Sequence, residues 1–213
     1  RDLMRKSRYE EDALKIWKPR TKLGNLVSSG EVTSMSEVFE NGWKIKEPEI
    51  VRTLLPEIKS EVVDAGIVQK QTDAGEMTRF VSIVAVGDGN GWFGIGRGKA
   101  PQMRLAIEKG TNNALLNLIP TKIGCGSWEC KCGRNHSIPF KVSGKGGSVR
   151  VELIPGPRGL GLVAGETIKN LLTLAGIKDA WTKTFGSTST SSSVAYAVYN
   201  ALKKVHGLSI IAE

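Results

Sequence analysis

From Met77 to Val86 apolar residues fall on both sides of an alternating run, with Phe80 and Val84 on one side and Val81, Ile83 and Ala85 on the other. A period of two predicts a strand, and apolar residues on both sides predict that both of its faces are covered. Upstream, Ile50, Leu54, Ile58 and Val62 recur at steps of four, which predicts a helix across 47–65 that Pro56 kinks or splits. A short strand, Gly66 to Thr72, and a turn at Asp73-Ala74-Gly75 follow. Asp88-Gly89 and Asn90-Gly91 are hairpin turn pairs, so Trp92 to Gly98 reads as a third strand. A helix is predicted from Pro101, a favoured first helical position, to about Leu118, with Met103, Ile107, Gly110, Ala114 and Leu118 on one face. The order is α-β-β-β-α.

The second half follows another pattern. His136 to Val142 and Ser148 to Ile154 read as a strand pair joined by the loop Ser143 to Gly147. Pro155 to Gly161 is a loop, about Ala164 to Ala175 a helix, and Asp179 to Phe185 a strand. A last helix carries Val194, Val198, Ala201, Leu202 and Val205 as its apolar stripe and is expected to stop at Gly207. Residues 1–46 are mixed in charge, with a basic loop from Trp17 to Gly24 and a short helix that Ser34 or Thr33 caps and Gly42 ends. The expected organisation is an N-terminal extension (1–46), two α+β domains (47–121 and 122–207) and a tail (208–213).

Glycine changes the picture. Positions 87, 89, 91, 94, 96 and 98 are all glycine, in a segment that must still be a strand. Such a strand packs poorly alone, which predicts close approach by something flat or by a sugar-phosphate backbone, with Arg97 and Lys99 supplying charge. Gly89-x-Gly91-x-x-Gly94 matches the dinucleotide fingerprint in letters, but its glycines do not open a helix, as that mechanism requires. A glycine-rich hairpin without a ligand is the plainer alternative.

Charge points the same way. Lysine and arginine number 30 against 21 acids, a net charge of +9, and residues 123–213 alone hold 11 basic against 5 acidic groups. A basic half on a folded body suits a polyanion, and with no basic amphipathic helix that polyanion is nucleic acid and not a membrane. A merely soluble cationic surface is the alternative. No run of about 18 apolar residues exists, so no membrane span is expected.

All three cysteines lie close together as Cys125-x4-Cys130-x-Cys132, and His136 follows after Gly133-Arg134-Asn135. Three thiolates and an imidazole complete a tetrahedral zinc shell, and an odd, clustered cysteine count argues against a disulfide framework. The Cys-x-Cys step is shorter than usual finger spacing, so chance clustering of reduced thiols and an iron–sulfur or redox role stay open beside a structural zinc.

Catalysis finds little support. Of two histidines, His136 falls in the cysteine cluster and His206 sits at a helix end as a surface group. Pro155-x3-Gly159-Leu160-Gly161 before a helix resembles the phosphate loop of the galactokinase and mevalonate kinase family, yet Leu162, Val163 and Ala164 replace its hydroxyl side chains. A small-molecule kinase is the alternative function.

Several separated motifs, in order over about residues 34–205, resemble the universal family of small-subunit ribosomal protein five. They are Gly87-Asp88-Gly89, Gly94 through Ala100, Ala106-Ile107-Glu108-Lys109, Ser143 through Gly147, Arg150, Ile154 through Gly161, and Leu174 through Asp179. Glu47-Pro48-Glu49-Ile50 and the cysteine knuckle resemble the archaeal and eukaryotic branch. The resemblance implies a double-stranded-RNA-binding-like α-β-β-β-α domain, then a β-α-β-α domain with a left-handed crossover. It implies a non-enzymatic, cytoplasmic constituent of the small ribosomal subunit that binds ribosomal RNA. Ribosomal proteins four and eight and messenger RNA near the entry channel are the implied partners, and decoding fidelity and messenger entry the implied roles. RNA duplexes are read mainly through phosphates and shape. The expected RNA contacts are therefore Lys70, Arg79, Arg97, Lys99, Arg104, Lys122, Lys141, Lys145, Arg150 and Arg158. Trp92 could stack on a base, although packing is preferred.

Overall fold

The computed structural model describes residues 17–130 and 132–211, with backbone alone for 209–211. Residues 1–16 of the expected extension and 212–213 of the expected tail lie outside the described residues. The chain divides into two compact units, one up to Glu57 and one from Ile58 onward.

The first unit holds three short helices, α1 (Lys22–Ser29), α2 (Met35–Glu40) and α3 (Pro48–Leu54). The segment read as a basic loop is thus helical from Lys22, because the Thr21 hydroxyl accepts the Gly24 N–H at 3.1 Å and caps it. Ser34 caps α2, accepting the Glu37 N–H at 3.3 Å, and Gly42 follows in the left-handed region. Leu23, Val27, Met35, Val38, Ile50 and Val51 are buried. The Glu47 carboxylate accepts the indole N–H of Trp17 at 2.9 Å and the backbone N–H of Arg20 at 3.0 Å.

The second unit contains two sheets. The first has the order β1 (Lys59–Thr72), β2 (Gly75–Gly87), β3 (Trp92–Ala100) and β4 (Leu118–Pro120), all antiparallel, with helix α4 (Met103–Leu116) against it. The helix expected across 47–65 is therefore wrong beyond Leu54. Leu55, which precedes Pro56, is biased away from helical geometry, and the β-branched Val62 then pairs in β1 opposite Val84, with Val63 at the bulge before Asp64 pairs with Ile83. α4 starts two residues later than expected, after Gln102, and the short β4 has no counterpart in the sequence pattern.

The second sheet has the order β5 (Val142–Gly146), β6 (Val149–Pro155), β8 (Ala180–Phe185) and β7 (Leu162–Val163), with β7 parallel to β8. Helix α5 (Glu166–Leu174) joins β7 to β8, and α6 (Ser191–Ile211) closes the unit. The stretch expected as a loop, Ser143 to Gly147, is instead mostly strand. Only Gly147 and Ser148 form the turn, Gly147 at φ +60°. α6 also runs past Gly207, the expected stop.

The two sheets share one core. Ile83, Ala85, Phe93 and Ile95 of the first sheet pack with Val149, Val151, Leu153, Leu171, Val198 and Leu202 of the second half. The Tyr199 hydroxyl donates to the Asn117 carbonyl at 2.9 Å, and the Gly89 N–H to the Leu174 carbonyl at 3.0 Å, so the halves are also tied through backbone groups.

The glycines of β3 lie under α4. A Cβ on Gly94, Gly96 or Gly98 would run into the backbone of Ala114, Gly110 or Ala106. The close approach expected of these glycines is thus real, but the approaching backbone is the protein's own helix and not a nucleic acid. β5 repeats the arrangement, since a Cβ on Gly144 or Gly146 would strike the backbone of α6 at Ala197 and Ala201 or at Ser193. Gly98→Ala should therefore cost about 3 kcal/mol through overpacking against backbone that cannot yield, lowering the midpoint of thermal unfolding by roughly 6–12 °C. Gly66→Ala, on the exposed stretch of β1 with no atom within 4 Å of the added methyl, should be close to neutral. Equal midpoints for the two variants would refute direct backbone packing.

Candidate nucleic-acid interface and metal centre

All ten expected RNA contacts are exposed, but they do not form one patch. Direct cross-strand pairs share a face, and the pairs Lys70↔Met77, Val68↔Arg79, Val81↔Lys99 and Ile83↔Arg97 set Lys70, Arg79, Lys99 and Arg97 on one face of the first sheet. The opposite face is the one under α4. Lys70, Arg79 and Lys99 line one shallow depression of about 230 Å³. Arg97 turns toward a cleft of about 520 Å³ between the sheet and α6, which Lys145, Ser193 and Asn200 line from the other side. The lower half of the same face, Ile83, Ala85, Phe93 and Ile95, is consumed by the shared core.

The remaining five lie apart. Arg104 is on α4, on the other side of the sheet. Arg150 is paired with Lys145 across the second sheet, and Lys141 makes a 3.0 Å ion pair with Glu152. Lys122 follows β4 near His206, where burial first and this like charge second hold the imidazole below its ordinary pKa. His206 is thus partly buried and not the plain surface group expected. Arg158 sits in the loop before β7, with its backbone N–H directed at the Cys130 sulfur.

Cys125, Cys130, Cys132 and His136 come together as their spacing suggested, with one ligand atom from each inside a mutual distance of 4.8 Å. The Cys130 sulfur is 3.6 Å from His136 Nε2, and the Cys132 and Cys125 sulfurs are 3.6 Å apart. A tetrahedral ion with sulfur at about 2.3 Å and nitrogen at about 2.0 Å would put its donors roughly 3.5–3.8 Å apart, so the four residues fit such an ion. Hydrogen bonds from the Cys132 thiol and from backbone N–H groups of Arg158 and Cys132 hold the Cys130 thiol down at about 6. Burial, then the neighbouring thiols, push Cys125 up to about 11. The cluster by itself favours one thiolate and resists a second; a cation among the sulfurs would remove that resistance.

The imidazole is fixed from behind. His136 Nδ1 lies 2.8 Å from Asp179 Oδ2, and the other oxygen of Asp179 accepts the Gly161 N–H at 2.8 Å. Both side chains are buried. A carboxylate behind a metal-facing histidine selects the tautomer that leaves Nε2 free to bind. Asp179 is a part of the site that sequence reasoning misses; only its place at the end of the Leu174 to Asp179 motif hints at it. The same contact explains the kinase-like glycine loop, since the Gly161 amide that a phosphate would need is already donated to Asp179. Gly159 and Gly161 take φ of +87° and +76° to make that turn.

Comparison with known proteins supplies the family. Residues 58–122 match the model of ribosomal protein S5, N-terminal domain, and residues 144–213 that of ribosomal protein S5, C-terminal domain. The chain belongs to the ribosomal protein S5 family. It is 57% identical over 188 residues to small ribosomal subunit protein uS5 of Cenarchaeum symbiosum, covering 88% of this chain and 86% of that protein. With the uS5 of Thermofilum pendens the identity is 54% over 190 residues, covering 89% and 94%. With that of Sulfurisphaera tokodaii it is 56% over 186 residues, covering 87% and 87%. These relatives are archaeal, as the knuckle and Glu47 to Ile50 suggested. The S5 family is structural and not catalytic, which removes the kinase alternative.

Replacing Asp179 separates its two roles. Asp179→Ala leaves the buried His136 N–H and the partly buried Gly161 N–H without their acceptor and should cost about 2–4 kcal/mol in urea unfolding. Asp179→Asn can keep the Gly161 bond while presenting an amide N–H to Nδ1, which forces the proton onto Nε2. It should weaken cobalt or zinc binding by about 10–100-fold with a smaller loss of stability. Unchanged metal affinity in Asp179→Asn would show that Asp179 does not set the tautomer.

Proposed function

We propose that this S5-family protein is a structural ribonucleoprotein component of the small ribosomal subunit that binds ribosomal RNA and serves translation in the cytoplasm. The observation that carries the reading is the convergence of Lys70, Arg79, Arg97 and Lys99 on the one face of the first sheet that α4 leaves open. Phosphates in a duplex recur along two backbones, and a face with several separated cations meets more than one of them at once. Arg104, Lys122, Lys141, Lys145, Arg150 and Arg158 are the outer contacts in this proposal. Support of decoding fidelity and of messenger RNA entry, beside ribosomal proteins four and eight, is the finer role we assign by family likeness. Among the described residues no helix is long and apolar enough to cross a membrane.

The protein should co-sediment with small subunits after a high-salt wash; its absence there would refute the proposal. In solution, affinity for a ribosomal RNA fragment should fall steeply with salt. Arg97→Ala with Lys99→Ala should flatten the log–log slope by roughly one to two units, about one for each phosphate that a cation no longer neutralises. An unchanged slope would show that neither residue meets the backbone.

We also propose that the cluster holds zinc through Cys125, Cys130, Cys132 and His136. Three sulfurs and one nitrogen in a tetrahedral arrangement suit that ion, and four protein donors leave no open coordination position, so the role is structural. Elemental analysis should find about one zinc per chain. Cys130→Ser should lose most of it while the far-ultraviolet circular dichroism of the two sheets persists, because the four ligands lie in the connection between β4 and β5, outside both sheets. Undiminished zinc in Cys130→Ser would overturn the ligand assignment.

A further inference from the structure

The second sheet has a covered and an open face. Val149, Val151, Leu153 and Ala180 point into the core with α5 and α6. The other face carries Lys145, Arg150 and Phe185 in one row across the strands, and Glu152 beside Lys183 in the next. Trp181, paired with Ile154 and Val163, lies on the same face. Trp181 and Phe185 are 44% and 51% exposed, although β-strand aromatics on a two-layer domain usually point inward. Alternation along β8 accounts for this. Ala180 takes the core position, so Trp181, Lys183 and Phe185 all face outward.

We infer that this open face takes unpaired nucleotides of RNA, with Trp181 and Phe185 as stacking platforms and Lys145, Arg150 and Lys183 as phosphate partners. The inference rests on the RNA-binding reading above and adds a different chemistry at a second site. Four residues of strand put the two rings about 13 Å apart, room for separate bases, and Lys183 lies between them. Bases inside a duplex offer no exposed flat surface to such rings, whereas looped or frayed bases do. A protein partner would have to bring carboxylates to four cations, Lys141 included, against the single acid Glu152. The repeating anion of a nucleic acid does so by its own covalent structure. The basic face of the first sheet, by contrast, carries no exposed aromatic ring and is suited to duplex phosphates alone.

The test uses the full chain with two labelled probes, a short oligoadenylate and a hairpin RNA duplex, followed by fluorescence anisotropy. Trp181→Ala and Phe185→Ala should each weaken oligoadenylate binding by about 5- to 100-fold. The salt slope and the duplex affinity should stay as they are, because no charge is removed. Trp181→Phe should retain most of the affinity, and Lys183→Gln should flatten the oligoadenylate slope by roughly one unit. Both rings are half exposed, so melting temperatures should move little and separate these effects from misfolding. If the double variant Trp181→Ala Phe185→Ala binds oligoadenylate as the parent does, the inference is overturned. RNA binding itself would still stand if Arg97→Ala Lys99→Ala lowered the duplex slope. If the double aromatic variant keeps its oligoadenylate affinity but enters small subunits poorly, the face docks a protein and the inference is likewise wrong. A parent protein that bound neither probe would end the RNA reading and this inference together.

Discussion

Both halves of the S5-type body depend on a helix laid against bare strand backbone. In the first, Gly94, Gly96 and Gly98 meet Ala114, Gly110 and Ala106; in the second, Gly144 and Gly146 meet the stretch Ser193, Ala197 and Ala201. The spacings match for a geometric reason. Two residues of strand advance about 6.6 Å and four residues of helix about 6.0 Å, so each second strand position finds each fourth helix position. Glycine costs conformational entropy in a strand, and here the return is dispersion contact over several residues that side chains would have prevented.

One consequence is that each sheet commits one face to a helix and must place its chemistry on the other. The first sheet goes further, because the end of its free face nearest the turn at Asp88 to Gly91 is buried against the second half. Asp88 organises that turn by accepting the N–H groups of Asn90 at 2.8 Å and Trp92 at 3.0 Å, with Gly89 and Gly91 at positive φ. The free end keeps four exposed cations and no exposed aromatic ring, which suits a partner read by charge. The second sheet keeps cations with two rings between them. The division of labour is set by packing, not by separate modules.

Much of this was legible in the sequence. β2 is apolar on both sides, and from Ser82 to Gly87 it is covered on both, Val84 and Val86 by α4 and Ile83 and Ala85 by the second half, whereas from Glu76 to Arg79 it is exposed. The hairpin pairs, the Ser34 cap and the cysteine cluster could be read from local chemistry alone. The misreadings share a cause, which is that side-chain patterns are silent where the partner is backbone or solvent. Gly66 to Thr72 of β1 is strand as expected, but Lys59 to Ala65 is mostly exposed and carries no apolar alternation, so a chance i+4 series from Ile50 to Val62 took its place. Ser143 to Gly147 has too few side chains to declare a strand, and only its pairing with β6 makes it one. The glycines of β3 predicted close approach but by the wrong partner, something flat or a sugar-phosphate backbone in place of the protein's own helix.

The candidate metal centre shows the same limit from the other side. Four potential ligands of two types within twelve residues are a local signal, but what gives the site its direction is distant in sequence. The segment Gly124 to Ser137 closes on itself through a bridge between those two residues, with the Gly124 N–H bonded to the Ser137 carbonyl at 2.8 Å. The His136 carbonyl then accepts the N–H groups of Lys178 and Asp179, at 3.0 and 3.1 Å. The Asp179 carboxylate returns to the imidazole and reaches on to Gly161. A single buried carboxylate thus joins the knuckle, the loop before β7 and the start of β8. The strand that follows is the one that turns Trp181 and Phe185 outward. Because Ala180, next to Asp179, fills the core, the register that serves the histidine also decides which side chains of β8 face solvent. The cysteine–histidine cluster and the open sheet face are therefore two outcomes of one strand placement, and a shift of one residue in β8 would lose both.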